Sequence, residues 1–227
     1  MTEKNISLEI SALVEIMATL RSPTGCPWDQ KQTPETLKPF ILEEAYELLE
    51  AIDNKDTTEI CDELGDLLLQ VVFIAQIFSE QNKFGLAEVA HSISKKLRCR
   101  HPHVFAGESA DNHAQIWEEI KQQERLDRGK SNKLQDRIPV NLPALKKATK
   151  VAKKLSQEKQ TTHIANLQQR VAKLSDLVEP SPTDREHSEM VLGEVLFNTV
   201  QLCHFLEIDA EDLLRRKTIK AMKEIDG

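Results

Sequence analysis

The 24 residues from Thr57 to Glu80 constrain this chain more than any others. Wound as a helix, the stretch is apolar nearly all the way round, with Leu64, Leu67, Leu68, Leu69, Val71, Val72, Phe73, Ile74, Ile77 and Phe78 distributed over every face. A helix of that kind needs packing partners on all sides, more than one small bundle supplies. It points to an all-α fold and to a homodimer or higher homo-oligomer joined through such helices. Glu63 and Asp66 interrupt the pattern. At about 100° per residue they fall between Phe73, Ile77, Ile74 and Leu67, so two carboxylates sit where apolar side chains are expected.

Those two acids end a longer run. From Glu43 to Asp66 there are ten acidic side chains and one basic one, Lys55. Positions i and i+3 share a helix face, so Glu44 with Glu47 forms one pair and Glu63 with Asp66 another. A short connection around Asp53 to Asp56 makes the two helices antiparallel neighbours, and the pairs then face each other. Converging carboxylates at the edge of a core repel and lose hydration unless cations or protons neutralise them. Oxygen-only ligation suits Mg²⁺ or Mn²⁺, and Mg²⁺ normally completes its shell with water and substrate phosphates. Lys96 and Arg100, at i and i+4 near the end of a later helix, offer a grip for such phosphates. Glycine at position 65 would let a neighbouring helix come close, or merely ease packing.

The rest of the chain reads as helices separated by clear punctuation. Apolar spacing predicts helices over 6–20, 39–52, 57–80, 86–100 and 113–128, with Thr33-Pro34 as a candidate helix start and Pro39 as a kink or restart. Asp56-Thr57-Thr58-Glu59 has the form of a capping box. Residues 129–142 read as a linker, followed by helical patterns near 143–158, 162–178, 184–206 and 209–224, broken at Pro180-Ser181-Pro182. The expected division is a catalytic domain over 1–128 and a second helical domain over 143–227. Charge divides the same way: residues 1–128 carry 13 basic and 23 acidic side chains, residues 129–227 carry 17 and 14. The overall charge of −7 disfavours binding to nucleic-acid polymers. Four scattered cysteines without a CxxC pair read as reduced thiols, and the lack of a long apolar run or a basic-then-apolar leader points to the cytoplasm.

The acidic motifs Glu43-Glu44-x-x-Glu47 and Glu63-x-x-Asp66 follow Gly25-Cys26-Pro27-Trp28-Asp29 and precede Lys96-Leu-x-x-Arg100-His101-Pro102-His103-Val104-Phe105. Together they closely resemble the MazG nucleoside triphosphate pyrophosphohydrolases, over residues 8–128 and into Leu142-Pro143-Ala144-Leu145. The resemblance implies an all-α, Mg²⁺-dependent enzyme, dimeric, that splits a nucleoside triphosphate into monophosphate and pyrophosphate and so cleanses the nucleotide pool. It implies Glu44, Glu47, Glu63 and Asp66 as metal ligands and Glu43 or Glu47 as the acceptor of a water proton. It further implies Lys96 and Arg100 as phosphate-binding residues, and Trp117 with Lys121 as nucleotide contacts. Trp28 and Asp29 are weaker candidates.

Members of this type often carry two copies of the domain, and the tail looks like a second, decayed one. Leu192-Gly193-Glu194-Val195-Leu196-Phe197 echoes Leu64-Gly65-Asp66-Leu67-Leu68-Leu69, but Val191 stands where Glu63 stands in the first copy. Ala172-Lys173-Leu174-Ser175-Asp176 occupies the place of the Glu-Glu-x-x-Glu motif. This half is expected to have lost its metals. Two rivals to the enzyme reading are a di-iron bundle built on Glu88-x-x-His91, which lacks a second such element in residues 1–128, and a non-enzymatic helical module with an acidic binding face.

Overall fold

The computed structural model describes residues 5–107, 113–155, 169 and 185–226. Every regular element among them is helical, as the periodicity requires. The chain divides into two compact units, residues 1–121 and 122–227. Among the described residues no single helix is long and apolar enough to cross a membrane.

In the first unit, α1 (Ile6–Leu20) starts where Asn5 Oδ1 accepts the Ser7 amide at 3.0 Å. The chain then folds back so tightly that the Cys26 amide bonds to Leu20 O at 2.7 Å. A Cβ at Gly25 would collide with the carbonyl oxygens of Thr19 and Leu20, so only glycine fits there. The expected loop after Cys26 contains one helical turn, α2 (Pro27–Lys31), too short to leave a periodic signal.

Thr33 does cap a turn, exchanging backbone-to-hydroxyl bonds with Thr36, but that turn is separate from the next helix. Proline at position 39 has no N–H to give to Glu35, so the ladder breaks and α3 (Lys38–Asn54) starts afresh. Lys55 takes the left-handed conformation, and the Asp56 amide bonds back to Ala51 O at 3.3 Å. The Asp56 carboxylate in turn caps α4 (Thr57–Glu80), accepting the amides of Thr58 and Glu59. With only two residues between them, α3 and α4 run antiparallel and form the most extensive helix pair of the unit.

The core gathers around the C-terminal half of α4. Val72, Phe73 and Ile77 bury against Met17 of α1 and Leu37, with Leu13, Val14, Phe40 and Leu69 around them. The N-terminal half of α4 extends past this core, and Leu64 there remains 51% exposed. The acids of α4 therefore sit at the rim of the core, and among the described residues a Cβ placed at Gly65 meets nothing within 4 Å beyond its own stretch of helix. Arg21 fastens the other end of α4. Its guanidinium pairs with both oxygens of Glu80 at 2.8 and 2.7 Å, donates to the carbonyl oxygens of Asp29 and Gln32, and lies 5.5 Å from the centre of the Phe73 ring. That bond holds the Glu80 carboxyl below its usual range.

Next come α5 (Leu86–Arg100), the single turn α6 (Pro102–Phe105) and α7 (His113–Asp127). Glu88 Oε2 accepts the Gly85 amide at 2.8 Å, so the acid of the Glu-x-x-His element serves as a helix cap.

In the second unit the stretch 129–142 contains a helical turn, α8 (Leu134–Arg137), held by Arg125 bonds to the carbonyls of Ser131 and Asp136. Helices α9 (Ala144–Leu155), α10 (Arg185–Phe205) and α11 (Ala210–Asp226) pack together around Val200, Cys203 and Ala210, with Leu145 and Ala148 alongside. Asp209 caps α11 and pairs with Lys146 of α9. The helix expected over 162–178, the Ala172–Asp176 segment and the Pro180–Pro182 break lie outside the described residues.

Candidate metal centre

The antiparallel α3–α4 pair brings three carboxylates together. One oxygen each from Glu44, Glu63 and Asp66 lies within 4.8 Å of the other two. Glu63 and Asp66 share a face of α4 because they are three residues apart, and Glu44 meets them from α3 because the two-residue connection sets the register. Glu44 and Glu63 are half-buried, whereas Asp66 is exposed at the rim.

This proximity has an electrostatic signature. Burial raises the Glu44 carboxyl above its ordinary value of 4.5, and the charges of Asp66 and Glu47 push it further. Glu63 is raised in the same way, by loss of hydration first and then by Glu47 and Asp66, with Glu59 and Asp62 adding to it. A site of this kind gains from any positive charge placed among the oxygens, and all-oxygen donors match a hard divalent ion.

Glu47 stands one turn along α3, outside the tightest trio but near enough to act on both raised acids. Glu43 is exposed on the same helix and outside the trio. A second group forms on α5 and α7. The Arg100 guanidinium lies 5.6 Å from the centre of the Trp117 ring, and His101 meets the same indole edge-on at 5.0 Å. Lys121, one turn beyond Trp117, pairs with Glu118 at 3.5 Å. Lys96, one turn before Arg100, is half-buried and lines an open groove of about 360 Å³ with Phe84, Glu88, Val89, Ser92 and Ile93. Trp28 packs edge-on against Phe40 at 5.9 Å, and Asp29 meets Arg21 through its backbone carbonyl, which gives both a structural role.

Two residues went unnoticed in the sequence. Arg21 looked like an ordinary helix-terminal cation, and nothing local signals that four groups converge on it. Gln70 looked like one polar residue in an apolar run. Among the described residues it is the buried polar side chain, 7% exposed, four residues after Asp66.

Residues 32–105 match the MazG nucleotide pyrophosphohydrolase domain. The chain is 39% identical over 222 residues to the nucleoside triphosphate pyrophosphohydrolase/pyrophosphatase MazG of Thermotoga maritima, covering 96% of this chain and 84% of that protein. It is also 39% identical over 221 residues to a nucleoside triphosphate pyrophosphohydrolase of Escherichia coli, with 93% and 84% covered. A nucleoside triphosphate pyrophosphohydrolase of Mycolicibacterium smegmatis matches over 148 residues at 39%, covering 63% of this chain and 45% of its own length.

Proposed function

This chain belongs to the MazG nucleotide pyrophosphohydrolase family, and from that membership we propose that it hydrolyses a nucleoside triphosphate to the monophosphate and pyrophosphate, with Mg²⁺ as the metal and Mn²⁺ as a substitute. The convergence of Glu44, Glu63 and Asp66 carries the reading. Their oxygens are close enough to share an ion, and burial with mutual repulsion raises the carboxyls of Glu44 and Glu63. An acidic face built only to attract a basic protein would not need two half-buried carboxylates in mutual repulsion.

A divalent cation bound there supplies charge neutralisation on phosphate oxygens and a more acidic water. Glu44, Glu63 and Asp66 hold it, and Glu47 completes the set. The water oxygen forms a bond to phosphorus, the bridging P–O bond breaks towards the leaving phosphate group, and the proton passes to a carboxylate. Both candidates for that proton are exposed, and Glu47 is the one whose charge acts on Glu44 and Glu63. Lys96 and Arg100 balance phosphate charge, and Trp117 with Lys121 contacts the nucleotide.

The exposed apolar residues of the same unit support assembly. Leu42, Tyr46 and Leu49 on α3 and Leu64 and Val71 on α4 stay in contact with solvent in the single chain, and a second copy of the chain would cover them. The second unit keeps the helical scaffold of a MazG repeat without its clamp and serves packing or assembly. A cytoplasmic location follows from the substrate.

The test is product identification with a panel of nucleoside triphosphates, Mg²⁺ and ¹⁸O-labelled water. Monophosphate plus pyrophosphate is the expected outcome, and the labelled product identifies the phosphorus attacked. Diphosphate plus inorganic phosphate would overturn the reading. Light scattering should show at least a dimer.

A further inference from the structure

Gln70 belongs to the same face of α4 as the acids. It lies four residues after Asp66 and seven after Glu63, within about 40° of either around the helix and about 6 Å along the axis from Asp66. Glutamine side chains on a helix lean towards its N-terminus and cover the preceding turn, which here is the turn of Asp66. Gln70 is more than nine-tenths buried, and its Oε1 has no hydrogen-bond partner. A buried amide carbonyl in that condition is destabilising, so a partner is expected from outside the chain.

The neighbours restrict what that partner is. Ionised Glu63 and Asp66 can only accept, as Oε1 can, and the hydrophobic residues packed on this part of α4, Leu69 and Phe73 among them, offer no donor. A donor must come with the ligand. Building on the metal-centre reading, we propose that Gln70 is a positioning residue: its Oε1 accepts a hydrogen bond from a water in the coordination shell of the cation at Glu63 and Asp66.

The second unit supplies a contrast. At the position 128 residues later, Asn198 donates its Nδ2 to Glu194 O at 2.7 Å, within its own helix. There the residue in the place of Glu63 is Val191, and the amide is used locally. Only the counterpart of Glu63 is replaced there, since Glu194 stands in the place of Asp66, and the shorter amide side chain bonds within its own helix.

The experiment uses the full chain with Mn²⁺ alone as probe, followed by paramagnetic resonance of free Mn²⁺ and by thermal melting, and then by steady-state turnover. Gln70→Met keeps the volume and removes the acceptor; Gln70→Glu keeps an acceptor and adds charge. For Gln70→Met the metal-free melting point should be unchanged or higher, with Mn²⁺ affinity about tenfold weaker and kcat reduced by at least as much. KM should move little. For Gln70→Glu the rise in melting point on adding Mn²⁺ should exceed that of the parent chain. A Gln70→Met variant that binds Mn²⁺ and turns over like the parent, or that melts well below it without metal, overturns the proposal in favour of a structural amide. A parent chain that binds no Mn²⁺ overturns the metal-centre reading itself.

Discussion

Helices α4 and α10 carry related sequence 128 residues apart, and some matched positions are buried in both, although Ile77 is buried where Phe205 is 49% exposed. Val72 and Val200 are both buried, as are Ala75 and Cys203, and the added-Cβ position is open at both Gly65 and Gly193. The difference lies one residue before the Leu-Gly pair. Glu63 is half-buried with a raised carboxyl, whereas Val191 in its place is 2% exposed. The packing face of the helix is thus independent of the clamp: a scaffold set by small and branched apolar residues tolerates either a repelling acid or a methyl-bearing side chain at its rim. Burial and mutual charge raise the carboxyls of Glu44 and Glu63, so in their ionised form they work against the stability of the fold.

Breaking the clamp in α4 should have the largest effect. Asp66→Ala should lower turnover on the order of 10³-fold or more, since cation neutralisation supplies several kcal/mol and each tenfold in rate is about 1.4 kcal/mol. Glu194→Ala in α10 should leave turnover near the parent value, and equal losses in a steady-state assay would erase the contrast.

Restoring the acid in α10 comes next. Val191→Glu places a carboxylate at a fully buried site and should destabilise the chain by about 3 kcal/mol, read from denaturant unfolding. No Mg²⁺-dependent recovery is expected.

Arg100→Ala sharpens the assignment of the cation–aromatic group. It should raise KM by about 10- to 100-fold, the range of a charge-assisted hydrogen bond of 1.5–3 kcal/mol, and affect kcat less.

The smallest effect is one of pH, and its sign separates the two units. Glu44 and Glu63 have raised carboxyls, so their contribution to stability is present below the ordinary value of 4.5 and is lost as pH rises through their folded values. Metal-free protein should therefore lose stability relative to a Glu44→Gln/Glu63→Gln variant as pH rises from acid towards neutral, and Mg²⁺ should remove that loss. Asp209 behaves oppositely, because its bond to Lys146 holds the carboxyl down and its contribution disappears as pH falls. Melting curves of Lys146→Ala across the acid range should show less of that acid-side loss.

Much of the fold was legible because its signals are local. The helix bounds Ile6–Leu20, Thr57–Glu80 and Leu86–Arg100 follow from apolar spacing and from Asn5, Asp56 and Gly85 at the starts. The short turns α2 and α6 escaped because four or five residues span little more than one period and so show no repeat. The start of α3 was legible to within one residue, because Pro39 restarts the helix after the separate turn that Thr33 caps. Of the site, the pairing of acids along each helix was visible and the approach between helices was inferred from a short connection.

By itself the sequence determined that the chain is helical, where its longest helices begin and end, and which acids share a face. Each of these depends on residues within a turn or two of one another. Tertiary structure alone decided that Glu44 meets Glu63 and Asp66 within 4.8 Å, that Glu43 stays outside, that Arg21 ties three segments together and that Gln70 keeps a buried carbonyl without a partner. Those outcomes depend on how far α4 extends beyond the core it shares with α1 and α3, a balance of packing between helices that no window along the chain contains.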